Sequence, residues 1–416
     1  MTIIPQLRFP EFLEKDGWEI KEVGEIFQVT RGYVLSMTLV KEVPSEEYPY
    51  PVFSSQTKNN GLAGYYNEYL YEDAITWTTD GANAGDVNYR DGKFYCTNVC
   101  GVLLNEEGFA NPCIAELINS VSKKHVSYVG NPKLMNGVMS KIQIPVPSIP
   151  EQQKIASCLS SLDELLAAHN EKLDALKDHK KGLLQNLFPS ADETVPKIRF
   201  PEFEGDGEWV EKKLGKVYSF LVTNSFSRAK LNYEDGEVKN IHYGDIHTKF
   251  STLFDISREE VPYINPDVST DKIREECYCK EGDMIFADAS EDLNDVGKSI
   301  EIVNLNGERL VSGLHTLMAR QIEKTLEIGF GGYLFKSDWI KKQIQREAQG
   351  AKVLGISTGR ISNIKISFPR NPIEQQKIAS CLSAVDELIT AQQEKIEQLQ
   401  QHKKGLMQGL FPKIES

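Results

Sequence analysis

The chain has 416 residues, a mass of 46.9 kDa and a formal net charge of −13, with 26% charged residues. That length allows roughly two to three domains. No run of about 18 apolar residues is present to span a membrane, and the start MTIIPQLRFPEF lacks the basic and apolar regions of a signal peptide, so a cytoplasmic location is expected. The seven cysteines read as reduced thiols, because Cys277 and Cys279 have the wrong spacing for a zinc knuckle and Cys158 and Cys381 sit in helical patterns. The acidity is spread out. Residues 28–149 and 219–372 carry −3 each and no segment is basic overall, so a polyanionic partner would have to be met by a local patch.

Pro5–Phe12 (PQLRFPEF) opens the chain and returns as Pro196–Phe203 (PKIRFPEF). Trp18/Trp209 and Gly24/Gly215 keep the same spacing of 191. Residues 28–149 then read as mixed α/β. Ile75–Leu104 is rich in β-branched and aromatic residues punctuated by Gly, Asn and Asp, and Asp91-Gly92 is expected to make a hairpin turn. A helix is expected near 111–124, followed by a closing strand through Ile142, Ile144 and Val146.

Residues 151–189 form the second repeated piece: they return at 374–412 with 26 of 39 positions identical. Ser148 and Asn371 each stand three residues before a glutamate, Glu151 and Glu374, which is capping-box spacing. Pro372 fits the first turn, and Phe-Pro at 188–189 and 411–412 ends each run. Between these signals Ile155, Leu159, Leu162, Leu166, Leu173, Leu176, Leu183 and Leu187 form a seam. Ile378, Leu382, Val385, Ile389, Ile396, Leu399, Leu406 and Leu410 repeat it. Only His169 and Lys180, and Gln392 and Lys403, interrupt the two seams. Alternation of four and three without a slip is a heptad pattern. Because long connections return the chain between the helices, an antiparallel pair is expected, with His169 near Ile396 and Gln392 near Leu173. The two seam lysines are expected to extend their heads to solvent.

The second variable block, 219–372, is 32 residues longer than the first. Strand and turn signals recur in Gly282–Val303, helical ones near 330–348, and a closing alternation at Ile364, Ile366 and Phe368. The expected fold class is therefore α+β. It comprises two mixed α/β domains separated by two long helices paired as an antiparallel coiled coil, with a pseudo-twofold internal repeat. The divisions expected are 1–149, 150–190, 191–372 and 373–416.

Catalytic signatures are missing from the sequence. The [Asp/Asn]-Pro-Pro-[Tyr/Phe] tetrapeptide of amino-methyltransferases does not occur. Gly297-Lys298-Ser299 looks like the end of a phosphate loop, but Asp292 stands where the leading glycine must be. Pro266-Asp267 is followed by no [Asp/Glu]-x-Lys, and the histidines show no metal-ligand spacing. A binding subunit without catalytic residues or a metal site is the expectation.

Through its EQQKIASCL…KKGLxQxLFP and RFPEF…W…LG repeats, the chain resembles the specificity subunit of Type I restriction–modification enzymes over its full length. The resemblance implies that 28–149 and 219–372 are target-recognition domains, each reading one half of a bipartite site in double-stranded DNA. The helices would act as a spacer and dock two methyltransferase (modification) subunits, and restriction/translocase subunits would complete the nuclease. S-adenosylmethionine, ATP and Mg would be used by those partners, with no cofactor on this chain.

Base readout needs Arg, Lys, Asn, Gln, Ser or Thr on loops, and phosphates need Lys, Arg or backbone N–H groups. Candidates in the first block are Arg31, Ser54, Ser55, Gln56, Lys58, Asn59, Thr78, Thr79 and Asn83. In the second they are Asn224, Ser225, Arg228, Lys230, Tyr243, Lys249, Ser290, Lys298, His315, Thr316 and Lys352. Two other readings stay open: a coiled-coil scaffold with protein-binding heads, and an autonomous DNA-modifying enzyme with an unrecognised active site.

Overall fold

The computed structural model describes residues 2–55, 59–350 and 352–412. The chain divides into two compact units, one of Met1–Asn170 with Glu394–Ser416 and one of Glu171–Gln393. Both divisions fall inside the long helices, a central one at Ile149–Asn186 and a C-terminal one at Pro372–Leu410. Each unit therefore holds a stretch of both helices and one variable block.

In the first unit a short sheet joins β1 (Thr2–Ile3), β2 (Trp18–Glu22) and β9 (Gln143–Val146). The larger sheet is built from β3 (Gln28–Arg31), β4 (Tyr50–Phe53), β5 (Leu62–Tyr66), β6 (Tyr71–Thr78), β7 (Val87–Cys96) and β8 (Cys100–Leu104), in the order β3-β8-β6-β7-β4-β5. Its central strands bury both faces by strict alternation. Ile75, Trp77 and Leu103 face the core shared with helix α1 (Pro112–Ser122), while Ala74 and Val102 face a smaller cluster with Phe94. Asp91-Gly92 does not make a hairpin turn, contrary to the sequence expectation. β7 runs straight through it as a bulge opposite Asp73, whose carboxylate accepts the Gly92 N–H at 2.7 Å. The hairpin lies instead at 79–86.

In the second unit β10 (Val210–Lys213) pairs with β22 (Lys365–Phe368), the counterpart of β2 with β9. A five-stranded sheet has the order β11-β20-β16-β18-β14, from β11 (Tyr218–Leu221), β14 (Leu253–Asp255), β16 (Met284–Ala287), β18 (Ser299–Asn304) and β20 (Thr316–Gln321). β12 (Leu231–Asn232), β13 (Lys239–Ile241), β15 (Tyr263–Ile264) and β19 (Leu310–Ser312) form a four-stranded sheet, and β17 (Ala289–Ser290) pairs with β21 (Leu354–Gly355). Met284 and Phe286 point to one core, Ile285 and Ala287 to the other. Helices α2 (Tyr243–Thr248), α3 (Phe330–Leu334) and α4 (Asp338–Glu347) complete the unit.

The repeated motifs turn out to be two copies of one joint. In the first unit Arg8 is forked onto Glu151, with Nε–Oε1 at 2.7 Å and Nη2–Oε2 at 2.9 Å, and the Leu7 N–H donates to Gly409 O at 2.8 Å. In the second, Arg199 is forked onto Glu374 with both contacts at 2.8 Å, and the Ile198 N–H donates to Asn186 O at 2.9 Å. Each RFPEF segment thus holds the start of one long helix and the end of the other. This corrects the capping-box reading: the glutamates serve buried arginines, and Asn371 caps by accepting the Ile373 N–H. A guanidinium offers a buried carboxylate two parallel charge-assisted bonds, more than one backbone N–H supplies. The glycine repeat has its reason too. A Cβ on Gly24 would lie 2.1 Å from Ser140 Oγ, and one on Gly215 would lie 3.0 Å from Ser362 Cβ.

Within each unit the helix stretches pack antiparallel. Ile155 and Leu159 share a core with Leu410, and Lys403 pairs with Asp163 at 2.5 Å. In the second unit Leu187 shares a core with Ile378 and Leu382, and Lys180 pairs with Asp386. These ion pairs set a register within one residue of the expected one, and all the seam residues are buried or half-buried. Lys180 and Lys403 do not reach free solvent as expected, because each finds the repeat-equivalent aspartate on the opposite helix. Among the described residues no helix is long and apolar enough to cross a membrane.

Candidate nucleic-acid interface

In the first unit the candidates gather at the loops beside β4 and the 79–86 hairpin. Ser54, Thr78 and Asn83 line one cleft of about 460 Å³. Asn83 Nδ2 donates to Ser55 O at 3.4 Å, and Thr97 Oγ1 donates to Ser54 Oγ at 3.0 Å. Asn59 and Asn60 both adopt φ +50°, a left-handed conformation that asparagine tolerates. Arg90 holds that turn: its Nη2 donates to Asn60 O at 2.7 Å and its Nε to Thr76 Oγ1 at 2.9 Å, with the guanidinium 3.7 Å above the Phe53 ring. Burial pushes its pKa down to about 10. Asp86, Glu116 and Asp163 also line the cleft, beside the cationic Arg90 and Lys403, so charges of both signs face it. Thr79 is buried with its hydroxyl 2.9 Å from both Asp80 Oδ2 and Val99 O, a scaffold position. Arg31 is exposed at the end of β3. Gln56 and Lys58 lie outside the described residues.

In the second unit the structure gathers Arg228, Tyr243, Lys298 and His315 around α2. The Tyr243 ring sits among three histidine rings, His242 at 4.7 Å, His315 at 5.4 Å and His247 at 6.1 Å between centroids. Arg228 is forked onto Asp245 at 2.8 and 2.9 Å, which spends much of its charge inside the protein. His242 accepts the Gly244 N–H through Nδ1 at 3.1 Å; burial and the nearby Arg228 keep its pKa below the ordinary value. His315 is exposed in the left-handed region, φ +57°, with Nδ1 3.2 Å from Asp288 Oδ1. The Asp288 N–H also donates to His315 O at 3.1 Å. Burial raises the Asp288 carboxyl, and His315 opposes that shift.

The remaining candidates fall elsewhere. Asn224 braces the loop, donating through Nδ2 to Asn240 Oδ1 and Ser312 O. Thr316 is buried against Ser312, at 2.6 Å between hydroxyls. Ser290 Oγ accepts the Asp292 N–H, and Lys249 donates to the Tyr233 hydroxyl at 3.2 Å. Ser225, Lys230 and Lys352 are exposed. Arg90, His242, His247, Asp245 and Asp288 were absent from the sequence candidates. The run His242-Tyr-Gly-Asp-Ile-His247 around Tyr243 could have signalled three of them, whereas Arg90 and Asp288 carry no local signal. Among the described residues no group of three or more His, Cys, Asp or Glu is placed to hold a metal.

Comparison with known proteins agrees with this architecture. The chain is 26% identical over 428 aligned positions to the MjaVIII type I restriction enzyme specificity subunit of Methanocaldococcus jannaschii, covering 97% of this chain and 93% of that one. It is 38% identical over 143 residues to a putative type I specificity subunit N-terminus of Mycoplasma pneumoniae, which is 34% of this chain and 75% of that protein. The crystal structure of the type I restriction–modification S subunit from M. genitalium shares the fold with a TM-score of 0.61 at 14% identity, covering 99% of this chain and all 100% of that one. The type I restriction modification DNA specificity domain matches residues 15–178 and 207–401, and the chain belongs to that family.

Proposed function

We propose that this chain is the non-catalytic, sequence-specific DNA-binding subunit of a Type I restriction–modification complex. Residues 28–149 and 219–372 each read one half of a bipartite site, and the two helices set the spacing and dock two modification subunits. Restriction subunits join that assembly, and S-adenosylmethionine, ATP and Mg are used by the partners. One observation carries the reading. A single joint, Arg8–Glu151 with Leu7–Gly409, is built a second time as Arg199–Glu374 with Ile198–Asn186, yet the bodies it seats are unlike. Duplicating a mount while diversifying its load suits two readers of different sequence. DNA repeats its groove face about every 34–36 Å, so joined readers select both half-sites and the gap, and linkage adds avidity.

The test is adenine-methylation mapping in a host expressing this chain with its modification subunits. Wild type yields a two-part site. Inserting one helical turn in either long helix changes the gap and leaves both half-sites intact. A change in the half-site sequences, or an unchanged gap, overturns the spacer role.

A further inference from the structure

Gly297-Lys298-Ser299 fails as a phosphate loop in the structure as it does in sequence. The Gly297 and Lys298 N–H groups are spent on Ala287 O and Asp295 O, so no backbone cradle is open. The side chains around it make something else. A cleft of about 190 Å³ lies between the 294–299 turn and the start of α4, and Lys298, Lys336 and Lys341 all line it. At roughly 30 Å³ per liquid water, that space takes a tetrahedral oxyanion with some hydration. Gly297 shapes the wall: its φ is +69°, and a Cβ there would lie 2.6 Å from Ile344 Cγ2.

The charges in this cleft are unbalanced. Among its lining residues Asp295 is the carboxylate facing three lysine side chains, and it sits 3.8 Å from Lys298 Nζ. Lys298 Nζ donates to His247 O at 2.7 Å, and Lys336 Nζ donates to Ser299 O at 2.8 Å. Burial first, and then Lys298, Lys341 and Lys180, push Lys336 down to about 7, while Asp295 acts the other way. A second, independent sign is Ser299, which lines the same cleft at 1% exposure with no hydrogen-bond partner for its Oγ among the described residues. An unsatisfied buried hydroxyl costs about 1–3 kcal/mol. An oxyanion would accept from it and from the ammonium groups together.

We propose that this cleft is a binding site for a phosphate group, held by Lys298, Lys336, Lys341 and the Ser299 hydroxyl. The group comes either from free inorganic phosphate or from a DNA phosphodiester, and only the second source rests on the DNA-binding function above.

Two measurements on the full-length protein separate these sources. Thermal unfolding is followed as inorganic phosphate replaces chloride at constant ionic strength, for wild type, Lys341→Ala and Ser299→Ala. Lys341 is exposed, so its variant folds without disturbing the core. Free phosphate as ligand predicts a midpoint that climbs more in wild type than in either variant, whose smaller rise is the general effect of phosphate on folded proteins. Duplex binding, with the modification subunits present, is then measured across salt concentrations. A phosphodiester as ligand predicts that Lys341→Ala lowers the salt slope by about one without altering sequence preference. If the midpoint rises equally in wild type and both variants and the salt slope is unchanged, the site does not exist. If wild type binds no duplex, the DNA function fails separately and the phosphate measurement alone decides.

Discussion

Arg8 grips Glu151 across 143 residues of sequence, and both side chains are nearly sealed from solvent at 4% and 1% exposure. The Arg8 fork also donates to Lys15 O and Asp16 O, so it ties the opening segment to the helix start. Removing one partner of a buried pair strands the other charge, at a cost of about 3–5 kcal/mol. Arg8→Ala should lose that much in chemical denaturation. Arg8→Lys should recover only part of it, because a single ammonium cannot fork. Arg199→Ala should behave alike, and a loss below about 1 kcal/mol in both would refute the shared joint.

The two lysine–aspartate pairs should differ in weight. Asp386 accepts from Lys180 and also from the Tyr333 hydroxyl at 2.8 Å, whereas Asp163 in the Lys403 pair is 58% exposed. Asp386→Ala leaves a buried phenol and a half-buried ammonium without their acceptor and should cost about 1–3 kcal/mol. Asp163→Ala should cost less than about 1 kcal/mol. Equal losses in parallel melts would contradict this ranking.

Glu301 is a buried carboxyl with Oε2 bonded to the Gly332 N–H at 2.6 Å and Oε1 without a partner among the described residues. Burial raises it from 4.5 to about 7, with the Gly332 and Gly329 amides opposing. A raised acid favours folding while protonated. Its contribution is complete below about pH 4.5 and is lost as pH climbs through 7. Glu301→Gln keeps the acceptor without the charge. It should raise stability at pH 8 by up to about 3 kcal/mol and change little at pH 4.5. A pH-independent effect would show that the carboxyl is already ionised throughout.

Gly101 in β8 leaves room for the Trp77 ring, since a Cβ there would fall 2.1 Å from Trp77 Cζ2. Trp77 is buried and its indole N–H donates to Leu134 O at 2.9 Å, so it cannot swing away freely. Gly101→Ala should cost about 3 kcal/mol or more from overpacking, read as a lowered unfolding midpoint of the first unit. An unshifted midpoint would mean that the sheet relaxes around the methyl.

His315→Gly should loosen base preference in one half-site alone, because glycine keeps the left-handed backbone while removing the ring that Asp288 orients. Methylation mapping should find the other half-site and the gap unchanged. Uniform weakening across all positions would assign His315 to phosphate contact instead of readout.

Much of this architecture was legible from sequence because it is written in local periodicity and repetition. The heptad seam from Ile155 to Leu187 and its copy specified long helices and the faces that meet, while the long connections between them specified the antiparallel sense. The closing strands at Ile144 and Ile366 were equally readable from alternation. Asp91-Gly92 misled, because a dipeptide that permits a turn also permits a bulge, and the carboxylate of Asp73 chose between them. Among the interface candidates, Thr79 and Thr316 had the right chemistry but are buried, and their hydroxyls are already engaged.

By itself the sequence determined the duplication, the helix pair, the two dissimilar mixed α/β blocks and the family. Only the tertiary structure decided that Glu151 serves Arg8, that Lys180 meets Asp386, that three histidines ring Tyr243, and that three lysines share a cleft with Ser299. Periodicity is carried by neighbours along the chain. A buried polar contact instead depends on which distant groups the fold brings within about 3 Å and shields from water, and nothing near either partner records that.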